Sequence, residues 1–403
     1  MYEVPKPLVD LNNLPPPLMT SEPDSFAYNT FKVRVPHIVD DIVTFNDFPP
    51  DVLNAISALR QEITSGTIRA LEEEAPDVAF WDKVSTHWLE HSWLEVPWYW
   101  AEAYFYRRVL EATRYFQPGE WCYVDPYQRQ KNAELTPNAA PELLGNLLNL
   151  DAGDQRQRFE VLLYASLWGN RTDLSYNVAT SLGPTQDYSD ERVNLLVDDT
   201  ALIWDKLSSR SYRKVAIITD NAGTELCMDL ALVDFLLNEQ MVQRVDLHLK
   251  PQPFYISDAM SKDVISTIQV LINGTPHLKA LGRRLREFIS QQRLLLTSHW
   301  MYTSSLFFFQ LPGDLYTELG TYDLVVLKGD ANYRRLLGDA HWPPTTSFAE
   351  ATAYFPAPLV ALRTLKAELI TGLAPGLAEQ LTQHDAAWLV NGKRGVVQSN
   401  LRI

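Results

Sequence analysis

Hydrophobic positions follow two different spacings along the chain, and the change between them lies near residue 195. Before it, apolar side chains recur every three to five residues, as at Leu53, Ile56 and Leu59, and aromatic side chains are dense from residue 81 to 116. That spacing predicts helices. After it, short β-branched runs alternate with amphipathic stretches, which predicts strands that alternate with helices.

The second half of the chain therefore predicts an α/β fold. We expect strands over residues 215–218, 245–249, 323–327 and 368–373, with helices over 226–237, 261–290 and 333–337 between them. Parallel strands joined by helical crossovers form a mostly parallel sheet that helices cover on both faces. The Asn391-Gly392 pair lies between apolar runs and predicts a closing hairpin.

Three regions follow from this pattern. Six prolines between residues 5 and 23 predict an extended arm over residues 1–30. Residues 31–195 are expected to form a mostly helical domain. Residues 196–403 are expected to form the α/β domain, and most of the candidate chemistry described below lies there.

The composition mainly argues against two classes of partner, nucleic acids and membranes. The chain has 403 residues, of which 46% are hydrophobic and 21% charged, as is typical of a folded globular protein. Its formal charge of -15 comes without a dense basic cluster, which argues against nucleic acid as a partner. No stretch reaches the roughly 20 apolar residues of a membrane helix. Cys122 and Cys227 lie far apart, so we expect a soluble cytoplasmic protein.

Oxygen-bearing side chains follow two of the predicted strands. Asp220 and Asn221 come after the run at 215–218, and Asp258 follows the strand at 245–249. Two carboxylates and one amide oxygen suit a hard divalent ion such as Mg²⁺ or Mn²⁺. The same residues are also typical of turns that cap a helix, so both interpretations stay open.

Positively charged side chains lie near the ends of the later predicted strands. Lys328 comes at the end of the strand at 323–327, and Arg363 and Lys366 precede the strand predicted at 368–373. A lysine at such a position can bind a phosphate group, although Lys328 could equally lie in a solvated loop. Arg334 and Arg335 could assist such binding, but the pattern favours solvated charges on a helix.

Two further segments offer polar groups. Glu102 interrupts an aromatic helical face, and a buried charge there needs a partner, which could be a group in the pocket. Asn170 and Asp173 lie in a predicted loop, where they could bind a sugar hydroxyl or cap a helix. The glycine-rich signatures of dinucleotide and P-loop sites and the G-x-S-x-G elbow are absent, which argues against a dehydrogenase, kinase or serine hydrolase.

Taken in order, six segments resemble the DUF89 family of metal-dependent damage-control phosphatases, in particular its sugar-phosphate branch. They are EAYFYRR at 102–108, LWGNRTD at 167–173, DNAGTEL at 220–226, SD at 257–258, KGDANYR at 328–334 and RTLK at 363–366. The last of them matches the R-T-x-K motif that marks this branch. Each match is weak alone, but six in one order are specific.

The resemblance implies a helical N-terminal domain on a three-layer α/β/α sandwich, and it also implies residue roles. It implies that the metal ion is held by Asp220, Asn221 and Asp258. It implies that Lys366 contacts the phosphate. It implies that Lys328 and Asn332 lie in the pocket.

These residues suit a metal ion and a phosphate ester, and the resemblance implies a metal-dependent phosphoric monoester hydrolase that acts on a small sugar phosphate, such as fructose 1-phosphate or fructose 6-phosphate, in metabolite damage control. The predicted catalytic set is Asp220, Asp258 and Lys366, with Mn²⁺ or Mg²⁺ as cofactor and Co²⁺ or Ni²⁺ as alternatives. Two other functions stay open. One is an S-adenosylmethionine-dependent protein-glutamate carboxyl methyltransferase, although the absence of a glycine-rich loop argues against it. The other is a non-catalytic sugar-phosphate binder.

Overall fold

The computed structural model describes residues 5–135, 144, 154–169 and 192–402. The strands are β1 (Leu195–Asp198), β2 (Tyr212–Ile218), β3 (Val242–Leu249), β4 (Leu294–Ser298), β5 (Leu324–Lys328), β6 (Leu359–Thr364) and β7 (Gly395–Asn400). The α-helices in the described ranges are α1 (Phe26–Asn29), α2 (Val35–Phe45), α3 (Pro50–Ser65), α4 (Val78–Ser85), α5 (Trp98–Ala112), α6 (Gln128–Leu135), α7 (Gln155–Trp168), α8 (Thr200–Ser209), α9 (Thr224–Asn238), α10 (Ser261–Asn273), α11 (Pro276–Ser290), α12 (Gly313–Leu319), α13 (Asp330–Leu337), α14 (Phe348–Ala351) and α15 (Leu377–His384). A π-helical turn, Thr30–Arg34, joins α1 to α2.

The strands form one sheet in the order β1-β7-β6-β5-β2-β3-β4. Every neighbouring pair is parallel except β6 and β7. From β2 the chain passes to β3 and β4 on one side, whereas β5 and β6 lie on the other side. The strand order therefore reverses between β2 and β5, and open α/β sheets bind ligands beyond the carboxyl ends of the strands at such a point.

Alternate residues of the central strands face two hydrophobic cores. In β2, Val215 and Ile217 belong to the core shared with helices α7 to α11, while Ala216 and Ile218 belong to the core shared with α2 to α5. Side chains alternate along a strand, so a strand covered on both faces is apolar throughout. The result is the predicted three-layer α/β/α arrangement with N-terminal helices, which confirms the fold class. No helix among the described residues is both long and apolar enough to cross a membrane.

The strand predicted over residues 368–373 is wrong, because those residues form a loop after β6. Arg363 donates from Nη1 to the Leu369 carbonyl at 2.7 Å and from Nη2 to the Ala367 carbonyl at 3.1 Å. A side chain thus satisfies backbone groups that a sheet would otherwise pair. The apolar residues of this loop, such as Ile370, are buried because the loop packs on the core.

The predicted closing hairpin is also wrong. Gly392 has a φ of +70° in a turn, as the Asn-Gly pair predicts, but residues 386–392 form turns and no strand precedes them. The Gly392 N–H donates to the Leu365 carbonyl at 3.0 Å, and β7 pairs with β6 instead. The helix expected over 261–290 is two helices, since Pro276 begins a new one after Gly274.

Candidate active site

Polar side chains from four strand ends meet at the carboxyl edge of the sheet. Asp220 and Asn221 follow β2, Asp258 follows β3, Asp330 follows β5 and Lys366 follows β6. Between β2 and β5 the strand order reverses. The candidate site therefore lies where α/β proteins usually bind their ligands.

A short backbone bridge fixes Asp258 beside Asn221. The two residues form an antiparallel bridge, and the Ala259 N–H donates to the Asp220 carbonyl at 2.8 Å. The Asn221 amide donates from Nδ2 to Asp220 Oδ2 at 2.7 Å, and its Oδ1 accepts from the Ser257 hydroxyl. The structure thus brings together the three oxygen donors that the sequence suggests as metal ligands.

Two buried lysines hold Asp258 in place. Lys250 Nζ lies 2.9 Å from Asp258 Oδ2, and Lys131 Nζ donates to the main-chain carbonyl of Asp258 at 2.8 Å. Lys131 is itself paired with Asp125 and Asp263 at 3.1 and 3.2 Å. The Lys250 ammonium thus occupies Oδ2, whereas Oδ1 of the buried Asp258 carboxylate has no hydrogen-bond partner in the described part of the chain. Oδ1 is therefore the oxygen of Asp258 that is left for a ligand.

Burial and repulsion raise the pKa of both carboxyl groups. Desolvation raises the pKa of Asp220 well above its ordinary value, the charges of Glu225 and Asp258 raise it further, and Lys250 and Lys366 oppose them. Desolvation also raises the pKa of Asp258, against the attraction of Lys250. A cation between the two carboxylates would offset this cost, because a nearby positive charge favours the ionised form.

The donor set fits a hard divalent cation. Such ions take carboxylate and amide oxygens, and two carboxylates here match the charge of one ion. Over the described residues, no group of three or more His, Cys, Asp or Glu side chains is arranged to hold a metal. The amide oxygen of Asn221 is the neutral oxygen beside these two carboxylates that could serve as a further protein donor.

Close backbone approach shapes the site on the β5 side. Gly329 follows β5 with a φ of +85°, and a Cβ at this position would lie 2.0 Å from Asp220 Oδ2. Only glycine tolerates both the dihedral angle and the contact. On the other side, Tyr255 and Ile256 have φ of 44° and 66°, which costs on the order of 1–3 kcal/mol per residue and is typical of functional sites.

The site opens into a cavity of about 220 Å³. Its lining combines carboxylates, cations, hydroxyl and amide groups and aromatic rings: Asp220, Asp258, Asp330, Glu102, Lys366, Arg34, Arg334, Ser257, Asn221, Ala331, Tyr255, Trp98 and Phe26. Two halves of the chain contribute to this lining. The strand ends supply three of the four acidic groups and Lys366, and the N-terminal helices supply Glu102, Phe26 and Trp98.

Lys366 reaches the cavity from the loop after β6. Asp330 Oδ1 accepts from Arg363 Nε at 2.7 Å and from the Lys366 main-chain N–H at 3.0 Å, which fixes this loop. Among the described residues the Lys366 ammonium has no ion-pair partner, so its charge is available to a ligand. Arg363 is fully buried 4.2 Å from the Tyr333 ring and is not part of the lining, so it acts on the loop instead.

Lys328 and Asn332 are not part of the cavity lining either. Lys328 Nζ lies 2.8 Å from Asp229 Oδ1 and 3.2 Å from Glu225 Oε1. Burial opposes its charge, but the two carboxylates outweigh burial and raise the pKa of Lys328. Asn332 Nδ2 donates to the carbonyls of Thr219 and Lys328, which ties the ends of β2 and β5 together. Both residues stabilise the frame of the site.

Glu102 reaches the cavity from α5. Its Oε2 accepts from Arg334 Nη1 and from the Tyr255 hydroxyl, the latter at 3.1 Å. The Arg334 guanidinium lies 3.5 Å from the centroid of the Trp98 ring. The expectation that Arg334 and Arg335 are solvated is wrong, because both are buried. Their helix packs between the sheet and the N-terminal helices, which a local charge pattern does not reveal.

Two predicted site residues lie outside the described part of the structure, and two residues of the cavity lining are not predicted from the sequence. Asn170 and Asp173 lie outside the described residues. Sequence reasoning misses Arg34 and Tyr255, which line the cavity from a π-helical turn and from a long loop. Neither lies at a predicted strand end. The loop residues Tyr255 to Asp258 do carry a detectable signal in the Ser257-Asp258 pair of the resemblance.

Comparisons with known proteins show the family of this chain. The model of the damage-control phosphatase ARMT1-like domain matches residues 30–381. Damage-control phosphatase ARMT1 of Danio rerio is 32% identical over 436 residues, covering 96% of this chain and 97% of that protein, and the Homo sapiens protein of the same name is 29% identical over 437 residues, covering 96% and 98%. A solved DUF89 family protein from Pyrococcus horikoshii has a TM-score of 0.47 at 13% identity, covering 93% of this chain and 97% of its own. The chain belongs to the damage-control phosphatase ARMT1-like family.

Proposed function

We propose that this protein is a metal-dependent phosphomonoesterase that hydrolyses sugar phosphates of the fructose 1-phosphate or fructose 6-phosphate class in metabolite damage control. The observation that carries the proposal is that Asp220, Asp258 and Lys366 line one cavity. Carboxylates that suit a hard cation, together with an ammonium group that has no ion pair with any described residue, match the charge of a phosphate ester. Membership of a damage-control phosphatase family supports the same reaction class.

The metal ion would be held by Asp220, Asn221 and Asp258. Their oxygen donors favour Mn²⁺ or Mg²⁺, with Co²⁺ and Ni²⁺ as alternatives. When bound, the ion acts as a Lewis acid towards a phosphoryl oxygen. The protein prepares this site in advance, because Lys250 and Lys131 fix the side chain and the backbone of Asp258.

Lys366 would contact the phosphate group. Its loop is anchored by the bond from its own N–H to Asp330, so the backbone that carries the ammonium is held without a ligand. A positive charge close to the phosphate stabilises the negative charge that develops as the ester bond breaks.

The remaining polar groups suit the sugar. Glu102 uses Oε2 for both Arg334 and Tyr255, which leaves Oε1 to accept from a sugar hydroxyl. Arg334 is neutralised by Asp339 as well as by Glu102, so it is better suited to a hydroxyl than to a second anion. The aromatic surface of Trp98 suits the carbon face of a sugar.

One experiment tests the proposal directly. The protein is stripped with a chelator, single divalent ions are restored, and phosphate release is measured on a panel of sugar phosphates. We expect release only after an ion is restored, with Mn²⁺ or Mg²⁺ effective and fructose phosphates among the best substrates. Equal release by the stripped protein would exclude the metal requirement, and no release with any ion or substrate would exclude the phosphatase.

The same preparation separates the two other functions. Heat released on titration with S-adenosylmethionine would support the carboxyl methyltransferase. Tight binding of a sugar phosphate without hydrolysis in the presence of Mn²⁺ or Mg²⁺ would identify a non-catalytic binder. Hydrolysis of a sugar phosphate excludes the non-catalytic binder. The absence of any heat with S-adenosylmethionine excludes the methyltransferase.

A further inference from the structure

The proline-rich arm, here residues 5–24, makes ordered contacts with two segments near the cavity. Pro17 forms an antiparallel bridge with Ala340, just after α13, and Met19 forms one with Pro97, just before α5. The arm therefore runs between the end of α13 and the start of α5. Neither bridge belongs to the main sheet, so the arm has no part in the sheet itself.

Leu18 and Thr20 make the central contacts. The Leu18 N–H donates to the Asp339 carbonyl at 2.8 Å, and the Leu18 carbonyl accepts from the Trp98 N–H at 2.9 Å. The Thr20 hydroxyl donates to the Val96 carbonyl at 2.9 Å and accepts from the Val96 N–H at 3.1 Å. Both arm residues are buried, so water does not compete for these bonds.

The two residues that Leu18 joins are also the supports of Arg334. The Asp339 carboxylate accepts from Arg334 Nε at 2.7 Å and from Nη2 at 2.9 Å, and the guanidinium lies 3.5 Å from the Trp98 ring centroid. The third nitrogen, Nη1, donates to Glu102. We call Trp98, Glu102 and Arg334 the arginine wall, since all three line the cavity. Because Leu18 bonds to both Asp339 and Trp98, the arm fixes the distance between the two residues that hold the Arg334 guanidinium.

We propose that Leu18 and Thr20 are positioning residues that fix the arginine wall and thereby determine which non-phosphate group the cavity accepts. This inference rests on the proposed function. No hydrogen bond or ion pair joins the described arm residues to Asp220, Asp258 or Lys366. The arm therefore acts on recognition of the sugar and leaves cleavage of the phosphate ester unchanged.

The test compares a hydroxyl deletion with a hydroxyl-preserving control. Thr20→Val keeps the size of the side chain but leaves the Val96 N–H without its partner, whereas Thr20→Ser keeps the hydroxyl. Each variant is assayed with fructose 1-phosphate and with 4-nitrophenyl phosphate, a phosphate ester without a sugar. For Thr20→Val we expect kcat/KM to fall about tenfold on the sugar phosphate, mainly through KM, and by less than about twofold on the other substrate.

Two controls should behave like the wild type. Thr20→Ser should keep the ratio of the two kcat/KM values. Glu22→Gln weakens the exposed contact between Glu22 and His341, at 2.9 Å, on the same arm and should also keep that ratio. A change in either control of the size seen in Thr20→Val would assign the effect to general loosening of the arm and overturn the inference.

Other outcomes also decide between the two proposals. Thr20→Val activity that falls equally on both substrates, or that is unchanged on both despite a lower melting temperature, would mean that the arm only stabilises the fold. If the wild type hydrolyses neither substrate, the proposed function fails. In that case calorimetric binding of fructose 1-phosphate tests the arm, and an unchanged Kd in Thr20→Val, or no binding by the wild type, overturns the inference as well.

Discussion

At the scale of single residues, phosphate binding depends on which lysines have no ion-pair partner among the described residues. Lys328 and Lys366 both follow parallel strands, yet Lys328 is enclosed by Glu225 and Asp229 while Lys366 lines the cavity. A lysine neutralised by two carboxylates adds little to phosphate binding, because its field is already offset. We therefore assign opposite consequences to the loss of each lysine.

The two lysines are distinguished by one pair of variants. We expect Lys366→Ala to lower kcat about 100-fold and to leave thermal unfolding nearly unchanged, since it removes a charge that acts in the transition state. We expect Lys328→Met to reduce the free energy of unfolding by about 3–5 kcal/mol, because Glu225 and Asp229 lose their buried cation. Phosphate-release kinetics and thermal unfolding measure the two effects. A Lys328→Met protein with wild-type stability would contradict the structural role.

Asp258 tests the metal site at the same scale. Asp258→Asn removes one negative charge and one strong oxygen donor, so we expect the affinity for Mn²⁺ to fall at least about 100-fold, since groups merely adjacent to metal ligands already change affinity 10–100-fold. Isothermal titration of the stripped protein with Mn²⁺ measures this. Asp234→Asn is the matched control, because Asp234 is a buried carboxylate paired with Arg284 away from the cavity. Unchanged Mn²⁺ affinity in Asp258→Asn would remove Asp258 from the site.

At the scale of elements, short turns between strands and helices carry the geometry of the site. The turn from β5 to α13 passes so close to Asp220 that no side chain fits at Gly329. The loop that leads to Asp258 contains two residues with left-handed backbone conformations. The sheet fixes the ends of these turns, and the turns fix the carboxylates.

The turn at Gly329 gives a sharp prediction. We expect Gly329→Ala to lower the Mn²⁺ affinity at least tenfold, because the new Cβ displaces the Asp220 carboxylate. Gly376→Ala is the control for a positive φ: its φ is +83° and nothing lies within 4 Å of its Cβ, but its ψ of -12° lies in the left-handed helical region, whereas the ψ of 173° at Gly329 is almost restricted to glycine. Gly329→Ala therefore adds backbone strain as well as the contact with Asp220. Melting temperatures report the strain, and Mn²⁺ titrations report the displacement of Asp220. Equal behaviour of the two variants would show that contact with Asp220 is irrelevant.

Local sequence patterns locate the elements that are buried on both faces. The apolar runs of β2, β3 and β5 are found because residues 215–218 of β2, residues 245–249 of β3 and all of β5 are buried. The patterns miss β1 and β4, whose residues at the sheet edges are partly buried or exposed apart from Leu294. They also misplace β6, which is fully buried but contains Arg363, a charge satisfied by Asp330 and by carbonyls of the loop after β6.

The residues of the candidate site likewise fall into a group that the sequence locates and a group that it does not. Asp220, Asn221 and Asp258 follow strands that the sequence identifies, and the parallel sheet brings their ends together. Arg34 and Tyr255 come from segments without such a pattern, so their approach to the cavity depends on packing between distant parts of the chain. The sequence also gives no means to tell a lysine in the lining from a lysine beneath it.

At the scale of the whole molecule, the cavity exists only because the two halves of the chain pack together. The core on one face of the sheet is continuous with the core of the N-terminal helices. Strand ends alone would present Asp220 and Asp258 to solvent, whereas the helices cover them and supply Glu102 and Trp98. Burial is the reason that both carboxyl groups have a raised pKa.

This burial couples metal binding to the stability of the whole protein. The pKa of Asp220 and that of Asp258 are higher in the folded state than the value of about 4 expected when unfolded. The metal-free folded protein therefore binds protons more tightly than the unfolded chain, so its stability falls as the pH rises from about 4 through the raised folded pKa. A divalent ion at the proposed site would replace these protons and would bind most strongly once both groups are ionised.

We therefore expect Mn²⁺ to raise the melting temperature of the stripped protein more at pH 8 than at pH 5. At an ion concentration of 100 times the Kd, the stabilisation is about 2.7 kcal/mol, and it shrinks at pH 5 because protons compete for the same oxygens. Thermal unfolding at both pH values, with and without Mn²⁺, measures the difference. The Asp258→Asn variant should lose most of it, because the ion then has only one carboxylate to bind. A shift of equal size at both pH values would mean that the stabilising ion binds somewhere other than between these two buried carboxylates.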